Sequence, residues 1–106
     1  MNRQLARDIS RIAAAECLPW LDKVLNAGFS ANCYRNILCG LRDKLHATCQ
    51  RYEQCTFAEE HEEFYLPLFD ALSYLNDALQ DRPVNRAGVE RCRETLHALI
   101  SEAVTV

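Results

Sequence analysis

Apolar side chains recur at spacings of three and four through most of this chain. Leu38, Leu41, Leu45 and Tyr52 form one stripe. Phe64, Leu68, Leu72, Leu75 and Leu79 form a second, and Val89, Cys92, Leu96, Leu99 and Ala103 a third. Leu5, Ile9 and Ile12 begin a fourth, which drifts around the helix before Trp20 and Val24. An α-helix turns once every 3.6 residues, so these spacings gather apolar groups on one side of each segment and give it a face to bury. Four such segments joined by short connections predict an all-α fold, an antiparallel up-down four-helix bundle.

Local signals set the expected boundaries. The first helical region spans about residues 4–27 and contains Pro19. Proline removes one backbone donor and crowds the preceding turn, so the first helix is expected to be bent or split there. Gly28 reads as its stop and Ser30 as the cap of a second helix reaching about Gln54. Thr56-Phe57-Ala58-Glu59 has the form of a capping box for a third helix reaching about Gln80, with a kink expected at Pro67. Asn85 is the expected cap of the last helix. Val84 and Val89 occupy the two positions of a hydrophobic staple around it, and the helix should end near Ala103.

The 106 residues suffice for one domain, taken as residues 1–106. Apolar types make up 49% of the chain and charged types 25%, which favours a folded domain over a disordered one. The formal charge of -3 provides little field for nucleic acid, and no nucleic-acid partner is expected. The Arg3, Arg7 and Arg11 ladder is too small a basic feature to change that. Charge is unevenly distributed. Glu53, Glu59, Glu60, Glu62, Glu63, Asp70, Asp77 and Asp81 fall in a span without Lys or Arg, whereas Arg35, Arg42, Lys44 and Arg51 precede it with Asp43. Pairing of these two segments would bring opposite charges together. The N-terminal residues lack the apolar run of a secretory signal, and no stretch approaches the ~20 apolar residues of a transmembrane helix. Free thiols in a reducing cytoplasm are therefore expected for the six cysteines.

Candidate chemistry is sparse, and no cofactor or catalytic residue is assigned. Cys33 with Cys39, and Cys49 with Cys55, are each six apart, so the thiols of each pair diverge on a helix. Cys39 lies away from the Leu41–Leu45 stripe and is the candidate reactive thiol. His46 and Cys49 are three apart and can share a face as metal ligands, with His61 or Glu60 as further donors. Glu94 and His97 form one Glu-x-x-His element, of which a paired-metal carboxylate bundle needs two, and Glu16, Glu60 and Glu63 are its possible partners. His61 shares its face with Leu68, Leu72 and Leu79, which favours a largely buried imidazole over a ligand. A metal- or thiol-dependent bundle is thus the alternative reading.

Protein contact has broader support. Apolar residues extend beyond the core stripes of the second and third helices, and Tyr34, Tyr65, Phe69 and Tyr74 are the interface candidates. Aromatic rings bury large areas at little rotamer cost. The sequence therefore points to a small helical interaction module, an adaptor, regulator or assembly subunit without intrinsic catalysis. It is expected to bind a protein partner or to self-associate as a homo-oligomer.

Overall fold

A computed structural model describes residues 3–26, 31–54, 57–81 and 84–104. Four long helices, α1 (Arg3–Asn26), α2 (Ala31–Gln54), α4 (Glu62–Gln80) and α5 (Arg86–Val104), are joined by a single-turn helix α3 (Phe57–Glu60) between α2 and α4. They form an antiparallel up-down bundle in which α1 packs against α2 and α5, and α4 packs against the same two helices. Gly28, Ser30, Cys55 and Thr56 lie outside the described residues, so the expected stop, cap and capping box there carry no structural account.

The three stripes of α2, α4 and α5 turn inward as their spacing dictates. Leu38, Leu45, Tyr52, Leu68, Leu75, Val89, Cys92 and Leu96 are fully buried. Burying each large apolar side chain contributes ~1.5–3 kcal/mol relative to exposure. At the start of α5 the Asn85 side-chain oxygen accepts from the Ala87 amide at 3.0 Å, and both Val84 and Val89 are buried, as the cap and staple require.

The inward face of α1 differs from the one its large residues suggest. Ala6, Ser10, Ala13, Ala14, Cys17, Leu18, Leu21 and Val24 are buried. Leu5, Ile12 and Trp20 face outward instead, and only Ile9 of the leading trio packs against the core. Leu18, Leu21 and Val24 occupy the buried side of the second half of α1, and small side chains that of the first. Large side chains there would overfill a core already supplied with leucines by the other helices. Pro19 lies within α1, which is continuous, and the contacts along it fit a bent helix. Its first half meets the start of α4, where Arg3 lies 3.3 Å from Glu63 and 5.6 Å over the Phe64 ring. Its second half meets α5, where Arg93 pairs with Asp22.

The third helical region also departs from expectation. It is interrupted at His61, whereas its continuation through Pro67 follows the apolar stripe as expected. His61 has φ -134° and ψ 53°, outside the helical range, and its carbonyl accepts from the Phe64 and Tyr65 amides at 3.0 and 3.1 Å. The break therefore serves as the entry to α4. Pro67 sits six residues into that helix, where the missing donor removes only one bond near the helix start.

Polar ties fasten both ends. Tyr52, fully buried on α2, donates its hydroxyl to the Ala6 carbonyl of α1. Tyr65 donates to Glu53 at 2.6 Å, and its ring lies tilted against that of Tyr52 at 6.0 Å. At the other end Arg35 of α2 donates to the carbonyls of Leu79 and Asp81 at 2.7 and 2.9 Å, and Arg86 of α5 donates to that of Leu25 at 3.0 Å. These cations sit on the negative, carbonyl-rich ends of α4 and α1. The expected pairing of basic α2 with the acidic segment thus occurs partly through backbone oxygens. Lys44 turns instead to Glu16 of α1 at 2.7 Å, and Arg42 pairs with Asp43 beside it.

Two helical glycines should respond oppositely to one substitution. A Cβ at Gly40 would meet nothing within 4 Å, so Gly40→Ala should raise stability by about 1 kcal/mol through helix propensity. A Cβ at Gly88 would lie 2.8 Å from the Ala78 Cβ and 3.0 Å from the Tyr74 carbonyl oxygen, so Gly88→Ala should lower stability as α5 is pushed off α4. Urea melts of both variants check the signs. By the same measurement Tyr52→Phe should cost about 1 kcal/mol, the net worth of its hydrogen bond to Ala6.

Candidate functional site

The described surface carries apolar side chains in two places. One is the outer side of α1 and the seam between α1 and α2. The other is the outward face of α4. Leu5, Ile12 and Trp20 on α1, with Leu66 and Phe69 on α4, are between 41% and 59% exposed. Such large side chains are not unusual singly at a surface, but clustering and a bordering groove are informative.

The α1–α2 seam opens into a groove of about 280 Å³. Trp20 forms one wall, Ile37 and Leu41 the other, and Gly40 leaves the middle open. The Glu16–Lys44 ion pair closes one edge. Lys23 sits 5.3 Å from the Trp20 ring centroid, which fixes the indole by a cation–π contact. The groove is mainly apolar with charge along its rim.

On α4, Leu66 and Phe69 are three apart and therefore neighbours on one side of the helix. Glu62 and Asp70 lie one turn before and after Leu66, and all of these side chains are exposed. Tyr65 packs at 5.9 Å from the Phe69 ring and holds it from the side. The result is a small apolar knob on an acidic helix.

Of the sequence-stated interface candidates, Phe69 is the one most exposed. Tyr34, Tyr65 and Tyr74 are half-buried and pack against the core. Arg91 also covers Tyr74 at 6.0 Å, and the Tyr65 hydroxyl is held by Glu53. The outward side chains on α1 were missed because Leu5, Ile12 and Trp20 were assigned to the core. Their exposure follows from the competing small-residue stripe on the same helix.

The metal-ligand candidates remain dispersed. Cys49 is buried while His46 is exposed, so one turn of separation does not aim them together. His61 is half-buried, 6.4 Å from the Phe64 ring. Glu94 and His97 are exposed, and His97 lies 3.4 Å from the Ser101 hydroxyl. Glu16 is held by Lys44 and Glu63 by Arg3, away from Glu94. Among the described residues no three His, Cys, Asp or Glu side chains gather around a position fit for one ion.

Cys17, Cys39, Cys49 and Cys92 are free thiols. Cys39 is half-buried against the core, more enclosed than an exposed reactive thiol. Burial raises Cys17 and Cys49 from an ordinary value of 9.0 to about 11, and Cys92 to about 12. Desolvation penalises a thiolate, so these three are neutral packing groups at ordinary pH. The Cys33 side chain and Cys55 lie outside the described residues. Nor is any described helix long and apolar enough to cross a membrane.

No known family model matches the chain, and neither characterised proteins nor solved structures provide a match. The fold class, a four-helix bundle, therefore stands on its own packing.

The thiol environments set the alkaline behaviour. A folded pKa above the unfolded one favours folding fully below about pH 9 and loses that contribution as pH rises through the folded value. The urea midpoint should therefore fall between about pH 9 and 12, and replacing Cys92 with Ala should flatten part of that fall. At neutral pH, peptide mapping after brief treatment with a thiol reagent should find Cys39 modified ahead of Cys17, Cys49 and Cys92.

Proposed function

We propose that this protein is a small helical protein–protein interaction module that works by self-association or partner binding, without a catalytic step of its own. The observation that carries this reading is the outward placement of Leu5, Ile12, Trp20, Leu66 and Phe69 on a bundle whose interior is otherwise filled by its own stripes. Covering such side chains removes apolar surface from water, and a preformed helix face avoids the cost of ordering a loop. Rim charges then select orientation. Free cysteines support a place in the reducing cytoplasm, as an adaptor, regulator or assembly subunit forming homo-oligomers.

Trp20 is the one tryptophan in the chain and provides an internal reporter. Light scattering should show mass rising with protein concentration, accompanied by a blue shift of tryptophan emission as Trp20 leaves water. A strict monomer with unchanged emission, retaining stoichiometric metal by elemental analysis after mild purification, would reverse the reading.

A further inference from the structure

We infer that the partner is a second copy of this chain, docked head to tail, with the Leu66–Phe69 knob of one copy seated in the α1–α2 groove of the next. The inference rests on the interaction reading above and specifies which surfaces meet.

Three observations favour this pairing. The two apolar features differ in shape: one is a groove kept open by Gly40, and the other is a convex pair of side chains on a helix. A groove against a groove leaves a void, and a knob against a knob leaves most of both wet. The two features also differ in charge. The knob is flanked by Glu62 and Asp70 on a helix without Lys or Arg. Glu16 and Lys44 in the groove lining neutralise each other, and Lys23 over the Trp20 ring adds a positive charge beside them. Finally, knob and groove lie on different helices, so seating one leaves the other available on the same molecule.

Surfaces that are complementary to each other, but not to themselves, give a heterologous contact. Such a contact repeats from copy to copy until a ring closes or a filament grows. The exposed apolar groups are few beside the ~800 Å² per partner of a standard interface, so each contact is weak and reversible. Its charged rim makes it sensitive to salt.

Gly40→Leu fills the groove, at a position where a new Cβ meets no atom within 4 Å, and leaves the knob intact. Leu66→Ser with Phe69→Ser removes the knob at exposed positions and leaves the groove intact. Circular dichroism melts confirm that both variants fold, and sedimentation equilibrium from about 10 μM to about 1 mM reads the assembly. The unaltered protein should pass beyond a dimer as concentration rises and retreat as salt is added. Each variant alone should remain monomeric. An equal mixture should form a one-to-one complex and stop there, because only one intact groove and one intact knob can meet. An unaltered protein that stays monomeric throughout overturns the head-to-tail contact. So does self-association that both variants retain, or a mixture that fails to form the complex; these last two leave association by another surface in place.

Discussion

The division of the core between a small-residue stripe on the first half of α1 and the leucine stripes of the other helices is the constraint from which the other features follow. The buried side of α1 is built from Ala6, Ser10, Ala13, Ala14 and Cys17 before larger residues appear at Leu18, Leu21 and Val24. Small groups bring the α1 backbone near enough for Tyr52 to reach the Ala6 carbonyl from α2. They also leave the volume of the core to the leucines of α2, α4 and α5. With the interior side of the first half of α1 committed to small residues, Leu5 and Ile12 are left on the outside. The exposed Leu5 and Ile12 are thus a consequence of how the core is filled.

Charge refines this packing more than it drives it. Arg35 and Arg86 each donate to carbonyls at the end of a neighbouring helix, where four backbone oxygens lack intrahelical donors. Exposed pairs such as Arg3–Glu63 and Arg86–Glu90 add at most about 1 kcal/mol each. The pairs that join two helices, such as Arg3–Glu63, favour one alignment of amphipathic helices over its alternatives. The acidic face of α4 and the lysines beside the α1–α2 groove are what remains of that charge pattern at the surface.

Most of the architecture was legible in the sequence because α2, α4 and α5 bury long residues at regular spacing. Leu38, Leu45, Leu68, Leu75 and Leu96 carry a strong hydrophobic signal, and each is buried. The inward side of α1 was not read correctly, although Ala6, Ser10, Ala13, Cys17, Leu21 and Val24 also recur every three or four residues. Their periodicity was equally regular but carried by small side chains, and it was outweighed by Leu5, Ile12 and Trp20. The break at His61 escaped notice because it depends on backbone dihedrals that no adjacent proline or glycine signals. The candidate site was less legible still. Phe69 was identified, but the groove depends on Gly40 and Trp20 being brought together across two helices.

The two arginine-to-carbonyl ties occur at the same pole, where α1 and α4 finish and α2 and α5 begin. At the opposite pole the chain passes from α2 to α4 through a single helical turn and the non-helical His61. Both extremities are tied, one by arginines on helix-end carbonyls and the other by the Tyr52–Ala6 and Tyr65–Glu53 hydrogen bonds. Opening of either pole must therefore break side-chain hydrogen bonds between helices as well as apolar contacts.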